Sequence, residues 1–510
     1  MKPASNSSRR DFLKLTALAP ALLSARPLIK PLNLSLNPDA PNVLVFVFDA
    51  WTAHNLQLHG YPRRTMPNME RFAARATVYH NHYSAGSFTV PGTASLLTGL
   101  YPWNHRAVQL SGGGVAKAHE QHHMFAAFGQ SHSNLGYAQN PFADIFLYQF
   151  RKHLDTYLAE GEFNAERRRL STLPIFQNDA QIAFASIENN IIRNGKGYSG
   201  SLFLGLISRI SALLRFASTR KANIKHYPRG LPIAGGIYFL DDVVDGTIEA
   251  LGQIASPTAA YFHFFPPHEP YAPSADYARA FDDGWEPPDK PYHPLSRARH
   301  PREEMLHYRL LYDQFMAAWD AEIGRLLDYL ESSGLMEKSI VVFTSDHGEL
   351  FERGEIGHNT LVFSDPVIHV PLLVSAPGQT ERKDIHAVTT SVDVLPTLAH
   401  LAGSESPAWT DGALLPGLGG VEDTERSVYS LDAKMCSSFS AFTQFSMSLV
   451  KRRHRLIYYR YPSNTIFELY NLDEDPEELN DLFPSGSALA KEMKEEILQK
   501  VEDFNRPYHK

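Results

Sequence analysis

Two stretches of the chain are almost purely apolar and rich in β-branched or aromatic residues: Asn42 to Phe48 and Ala259 to Phe265. Ser339 to Phe343 and Val370 to Val374 share that texture over shorter lengths. Runs without polar alternation fit strands buried on both faces of a sheet. Helical periodicity lies between them, over Pro67 to Thr77, in a turn over Ala94 to Thr98, and over Glu303 to Ser332. Strands alternating with helices predict an α/β fold with a largely parallel central sheet. The first three runs each end on groups that can carry chemistry: Asp49, then His268 after a Pro-Pro turn, then Ser345-Asp346-His347-Gly348. Open α/β sheets bind ligands at the carboxyl ends of their strands. Asp49, His268, Asp346 and His347 are therefore expected at one site.

The pattern is less regular from 104 to 255, which reads as a variable insertion. It contains a helical stretch over Phe176 to Ile192 and a strongly apolar one over Ser201 to Ala217 that carries Arg209 and Arg215. The apolar stretch is expected to pack as a core or interdomain helix; the alternative is peripheral contact with a membrane surface. Beyond 405 the runs shorten: Phe439 to Val450, Leu456 to Arg460, then a last helix over Ser487 to Phe504. The expected division is a catalytic α/β domain over 40–405 and a smaller α+β subdomain over 425–510.

Residues 1–34 read as an export signal and linker. Ser8-Arg9-Arg10-Asp11-Phe12-Leu13-Lys14 precedes the apolar run Leu15 to Leu23. The run is too short for a confident membrane span, and the whole resembles a twin-arginine signal. The competing reading is a basic, unstructured start. The signal implies a partner in the twin-arginine export machinery and a periplasmic or otherwise extracytoplasmic protein.

Composition narrows the function classes. The chain has 510 residues, a formal net charge of −8 and one cysteine, Cys436. That length suits about two domains. The acidic balance speaks against a nucleic-acid binder, which needs a basic footprint. A lone cysteine excludes an internal disulfide and a cysteine-rich metal cluster. Carboxylates and imidazoles gathered at strand ends are what a divalent cation needs.

The wording of the motifs goes further than their spacing. NVLVFVFDAW followed by HGYPRRTMPNMERFA, FTVPGTASLLTGLYPWNHR, FHFFPPHEPYAP, the long helix ending in SIVVFTSDHGE, GEIGHNTLVFSDPVIHVPLLVSAPG, SVDVLPTLAHLAG, KRRHRLIYY and FELYNLDEDPEELNDL occur in this order. In sequence and order they resemble the sulfatase family of the alkaline phosphatase superfamily, over residues 40–110 and 257–485. The resemblance implies an alkaline-phosphatase-like α/β sandwich with a C-terminal α+β subdomain. It implies one divalent metal ion (calcium, magnesium, manganese or zinc) on Asp49, Asp346, His347 and Thr89. Thr89 stands at the nucleophile position, and His268 and His358 at positions that contact the transferred or leaving group. Ser87 is the rival nucleophile. Ser95 and Thr98 are expected to cap and pack the following helix.

Three departures from the family bear on mechanism. Its nucleophile is a Cys or Ser that matures to formylglycine; here it is Thr89. The Arg four positions later is Thr93, and the second Asp of the opening pair is Ala50. Threonine cannot yield an aldehyde, because its β-carbon carries a methyl group and oxidation would give a ketone. A metal-activated threonine hydroxyl is nevertheless a competent nucleophile toward phosphorus. The sequence therefore points to an exported hydrolase or transferase of phosphate esters or diesters, with a small or a lipid- or glycan-linked anionic ester as substrate. The alternatives are a sulfatase that works without formylglycine and a non-catalytic, metal-stabilised binding protein.

Overall fold

The computed structural model describes residues 40–110, 113–165, 202–462 and 464–509. Its central element is an eight-stranded sheet. In chain order the strands are β1 (Asn42–Phe48), β2 (Thr77–Tyr83), β3 (Ser133–Ala138), β4 (Thr156–Leu158), β5 (Thr258–Phe264), β6 (Ser339–Thr344), β7 (Leu372–Ser375) and β8 (Lys383–Thr390). Across the sheet they run β8-β2-β7-β6-β1-β5-β3-β4. All point the same way except β7, which is antiparallel to both β2 and β6. The expected largely parallel sheet is thus present, with β1 at its heart between β5 and β6.

Strand parity divides the core. Leu44, Phe46 and Phe48 face one layer, where they meet Phe262, Phe264, Phe343 and residues Phe315 to Leu330 of the helix Arg302–Ser332. Val43, Val45 and Val47 face the other, with Tyr261, Val342, and Ala94 and Leu97 of the helix Thr89–Thr98. Both faces of β1 are apolar because both are covered, so its sequence shows no alternation. Phe46 sits 5.0 Å from Phe343 and 5.6 Å from Phe262, centroid to centroid, in stacked contacts that lock the three central strands together.

Several expectations shift. The helix predicted from Pro67 to Thr77 ends at Ala73, and Thr77 opens β2 instead. The helix placed over Ala94 to Thr98 begins at Thr89. The span 104–255 is more than an insertion, since it supplies β3, β4 and the core helix Pro141–Phe150. Phe176 to Ile192 lies outside the described residues. The apolar stretch forms the helix Leu202–Asn223, but Ile210, Leu213 and Leu214 are 48%, 62% and 67% exposed. These three residues do not pack in the core as expected.

The C-terminal part is a four-stranded antiparallel meander of β9 (Val428–Asp432), β10 (Phe445–Lys451), β11 (His454–Tyr461) and β12 (Asn464–Asn471), with the helix Ala488–Asn505 packed against it. It shares a hydrophobic cluster with Ala85, Tyr101, Trp103 and Val392 of the larger layer. The described residues accordingly form one compact unit.

Candidate active site

Three parallel strands deliver the central side chains. Asp49 follows β1, and its N–H donates to the Phe264 carbonyl of β5 at 3.0 Å. Parity puts Asp49 on the face already occupied by Val43, Val45 and Val47. The same rule carries Asp346, beyond Ile340 and Val342, to that face. Thr89 is the first residue of the helix packed against that face. Asp49, Asp346 and His347 are all buried, with ligand atoms within 4.8 Å of one another.

Close backbone approach makes this possible. A Cβ on Gly92 would lie 2.1 Å from the Asp346 carbonyl oxygen. Only glycine lets the first turn of the Thr89 helix sit against the Asp346 loop. From another side the Ser84 hydroxyl donates to the same carbonyl. Thr93, which stands where the family has Arg, donates to Asp346 Oδ2 at 3.3 Å. Ala50, which stands where the family has its second Asp, adopts a left-handed φ of 60°. Its carbonyl accepts from the buried Tyr312 hydroxyl at 2.7 Å.

Around Thr89 Oγ1 lie His347 Nε2 at 3.4 Å and Asn140 Nδ2 at 3.3 Å. Asn140 Nδ2 also donates to Asp49 Oδ2 at 2.5 Å. Ser87 points elsewhere, donating to Asp432 Oδ2 at 3.1 Å. Ser95 meets His105 Nε2 at 3.0 Å and Thr98 donates to the Ala94 carbonyl at 2.6 Å, both structural contacts. Cys436 is buried, with its thiol 3.1 Å from the Gln444 carbonyl.

Two neighbours escaped the sequence reading. His263 lies inside β5, with Nε2 at 3.3 Å from Asp49 Oδ2 and 3.6 Å from Asp346 Oδ2. Its Nδ1 is 3.1 Å from the Tyr261 hydroxyl. A histidine amid an apolar run, on the parity of Asp49, was the available signal. Asn140 reads in sequence as a helix cap, and it is one: its Oδ1 accepts from Phe142 N–H at 2.8 Å. Nothing in the sequence marks its second role beside Asp49.

A row of imidazoles in tilted and edge-on contact leads outward. The rings of His347 and His358 are 4.2 Å apart, and those of His358 and His268 are 4.9 Å apart. Glu349 braces this row at His358. Its Oε1 is 3.0 Å from His358 Nδ1, and its Oε2 accepts from the Tyr271 hydroxyl at 3.0 Å. His268, half-buried, has Nδ1 at 2.7 Å from the Glu269 carbonyl. All the residues expected at the site therefore converge.

The electrostatics are those of a cation site. Burial raises the Asp49 pKa, but His268, His263 and His347 outweigh it and hold Asp49 well below the carboxylate range. Burial raises Asp346, and the Asp49 charge raises it further. Burial lowers His347, yet Asp346 and Asp49 overcome this and push it up to about 9. Two adjacent buried carboxylates recruit positive charge, here an imidazolium, and a divalent ion supplies more. Asp49 Oδ1 is buried and makes no hydrogen bond, although His347 Nε2 lies 3.3 Å away. An orphaned carboxylate oxygen among two carboxylates and an imidazole fits a divalent metal. The opposite shift appears at His358, held well below its usual value by burial, His347 and His268.

Comparison with known proteins agrees with this geometry. A family model described as Sulfatase matches residues 41–404, and one described as N-sulphoglucosamine sulphohydrolase, C-terminal, matches 355–504. The chain is 26% identical over 426 residues to the multifunctional alkaline phosphatase superfamily protein PehA of Trinickia caryophylli, covering 74% of this chain and 77% of that one. It is 23% identical over 413 residues to an ulvan-active sulfatase of Formosa agariphila, covering 78% and 70%. Among solved structures, the phosphonate monoester hydrolase of Agrobacterium radiobacter shares the fold, with a TM-score of 0.64 at 18% identity over 92% of this chain and 96% of that one. The first match spans every strand that brings Asp49, Thr89, Asp346 and His347 together, and the chain belongs to the sulfatase family, as a hydrolase of that superfamily.

Proposed function

We propose that this sulfatase-family hydrolase cleaves phosphate esters or diesters through Thr89, by way of a phosphothreonine. The observation that carries the reading is the position of Thr89 Oγ1 at the head of its helix, 3.4 Å from His347 Nε2 and 3.3 Å from Asn140 Nδ2. The residue has no route to an aldehyde but carries a hydroxyl suited to direct attack. Asp49, Asp346 and His347 would hold one divalent cation, which lowers the pKa of a nearby hydroxyl and offsets charge on the transferred group.

The chain's own groups account for the remaining work. Asn140 Nδ2 orients Thr89 Oγ1 and donates to it as it becomes an alkoxide, its proton leaving to solvent. The helix N-terminus beneath Thr89 favours the incoming anion. The Thr89 Oγ–P bond forms as the bond from phosphorus to the leaving oxygen breaks. His268, half-exposed on its loop, would protonate that oxygen. Burial pushes Glu349 up to about 7, so its carboxyl can donate to His358 Nδ1 and leave a neutral His358 with its Nε2–H for a phosphoryl oxygen. Water then attacks phosphorus, the Thr89–phosphate bond breaks, and phosphate leaves as the hydroxyl is restored. A sulfate ester would instead leave a stable threonine sulfate. The arginine pair near the N-terminus supports an extracytoplasmic location, and no described helix is long and apolar enough to cross a membrane.

The test is a panel of aryl phosphate monoesters, diesters and sulfates on metal-replete protein and on Thr89→Ala. Turnover of phosphate esters is expected, falling at least about 1,000-fold in the variant, with an intact-mass adduct on wild type that a phosphatase removes. Unchanged turnover in Thr89→Ala would remove Thr89 as nucleophile. An adduct formed only from sulfate esters would favour the sulfatase reading. No turnover at all would favour a binding protein.

A further inference from the structure

A second cluster of metal-binding side chains lies in a cavity of about 490 Å³ whose lining includes His54, His59, His80, Asp365, His369 and His386, and none of Asp49, Thr89, Asp346 or His347. Asp365 and His369 are four residues apart at the short helix Asp365–Ile368, so their side chains share a face. His54 comes from the short turn Ala53–Asn55 that follows β1. His54 Nε2 lies 2.7 Å and His369 Nδ1 3.0 Å from the same oxygen, Asp365 Oδ2.

The proton inventory around His369 is restrictive. Its Nε2 is 2.9 Å from the His80 carbonyl. A carbonyl only accepts, so Nε2 carries a hydrogen. In the neutral ring the Nδ1 lone pair then points at a carboxylate lone pair. Such a contact needs either a second proton or a cation between the two atoms. The carboxylate is otherwise fixed: Asp365 Oδ1 accepts from Arg455 Nη1 at 3.1 Å, and Arg455 Nη2 meets Glu478 Oε1 at 2.5 Å. Arg455 is shared by two carboxylates that are nearly inaccessible to solvent, while Arg353 and Lys290 act on Glu478 and Arg453 on Asp365 from farther off; among the described residues the hydrogen-bond partners of Asp365 Oδ2 are the two histidines.

Two further features favour a cation. His369 is oriented as metal-ligating histidines usually are, with the far nitrogen donating to a backbone carbonyl. His59, in the same cavity, has both ring nitrogens buried without a hydrogen-bond partner, and its ring lies 5.9 Å from that of His369. Bonds of 2.0–2.1 Å at tetrahedral angles separate ligand atoms by about 3.3 Å. The observed 2.7 and 3.0 Å need open by about 0.6 and 0.3 Å, and the two histidine nitrogens lie within 4.8 Å of each other. Two imidazoles and one carboxylate suit zinc or a neighbouring late transition metal, whereas calcium and magnesium prefer all-oxygen shells.

We propose that His54, Asp365 and His369 form a second, structural site for a zinc-class divalent cation, open on its fourth side to the cavity that contains His59. The site would act on the catalytic loop from behind. Gly348 N–H donates to the Val367 carbonyl at 2.7 Å and Glu349 N–H to the Pro366 carbonyl at 3.0 Å. A cation that clamps the Asp365–Ile368 helix to the Ala53–Asn55 turn therefore also fixes the residues that follow His347. The Ala53 N–H, which donates to the His369 carbonyl at 3.0 Å, already links the two.

The experiment uses full-length protein stripped by chelator and titrated with zinc, with elemental analysis of the product. Wild type is expected to take up about two equivalents, and His54→Gln and Asp346→Asn about one each, lost from different sites. Two equivalents in His54→Gln, with the second still removed by Asp346→Asn, would overturn the second site. So would a single equivalent in wild type that His54→Gln leaves in place, which assigns a proton to the His369–Asp365 contact. Anomalous scattering at the zinc edge from wild-type crystals gives a readout without variants. A peak between His54 Nε2, Asp365 Oδ2 and His369 Nδ1 is expected, and bare density there refutes the proposal.

Discussion

Gly92→Ala is the most economical test of how the site is assembled. The new methyl would lie 2.1 Å from the Asp346 carbonyl oxygen and 2.8 Å from its carbon. Ordinary carbon–oxygen contact needs about 3.4 Å, so the helix and the loop must part by about 1.3 Å. Neither side yields easily. Every residue of the helix Thr89–Thr98 is buried, and the Asp346 carbonyl is held from another direction by Ser84. Overpacking of this kind costs roughly 1–3 kcal/mol of stability. The larger effect falls on function, because the displaced atoms are Thr89 Oγ1 on one side and the Asp346 carboxylate on the other. A shift of about 1 Å costs on the order of 100-fold in rate. Urea unfolding, calorimetric metal titration and ester turnover would be measured on Gly92→Ala and on Gly113→Ala, whose added Cβ meets nothing within 4 Å. We expect Gly113→Ala to match wild type, and Gly92→Ala to keep its fold, bind metal more weakly and turn over about 100-fold more slowly. Turnover within about threefold of wild type would refute the claim that this contact sets the geometry of the site.

Asn140 separates capping from catalysis. Asn140→Ser retains an oxygen for Phe142 N–H but loses the donor to Asp49 and Thr89. Unfolding free energy should change by less than about 1 kcal/mol while turnover falls about 10- to 100-fold; equal losses in both would make Asn140 purely structural. His105 and His123, buried and each lowered to about 3 mainly by burial, predict acid lability. Each ring accepts a backbone N–H through Nδ1, which fixes the neutral form. Between pH 6.5 and 3 the unfolded chain binds more protons than the native one, so stability falls as pH drops through that window. From pH 7 to 5 each should remove roughly 2 kcal/mol, read as a lower urea midpoint. A flat profile over that range would contradict the neutral assignment.

What the sequence revealed depended on burial. β1, β5 and β6 were legible because both of their faces are covered and their sequences are continuously apolar. β2 was not, because it reads TVYHNHY and its polar residues make cross-strand contacts with β8. His80 pairs with Asp384 at 2.6 Å, Asn81 donates to the His386 carbonyl at 2.6 Å, and His82 meets Thr389 at 3.0 Å. β3 and β4 lie at the sheet's other edge, with a glycine at position 136 and only three residues in β4. Asp49, Thr89, Asp346 and His347 stood out because motif wording adds to patterning. His263 was hidden because an apolar run conceals a single polar residue, although parity along the strand assigns it to the same face. Asn140 was hidden because one side chain performs two tasks and the sequence advertises only the cap.

The C-terminal meander explains why Thr89 rather than Ser87 faces His347 and Asn140. Ser87 is drawn toward Asp432 at the end of β9. Asp432 is in turn paired with Lys434 at 2.7 Å, and Lys434 Nζ lies 5.6 Å from the centre of the Phe88 ring. The same ammonium donates to the Thr360 carbonyl at 2.5 Å, two residues beyond His358. One buried cation therefore ties the segment entering the Thr89 helix to the loop that carries His358. Upstream, the Leu431 N–H donates to the Ala85 carbonyl at 2.9 Å, so β9 continues the restraint onto the backbone before Ser87. With residues 85 to 88 held against β9 and Gly92 held against Asp346, the backbone between them has little freedom left. Its first helical side chain, Thr89, is the one directed at His347 Nε2 and Asn140 Nδ2. On this argument the meander is part of the catalytic unit, and its removal should abolish turnover even if the central sheet still folds.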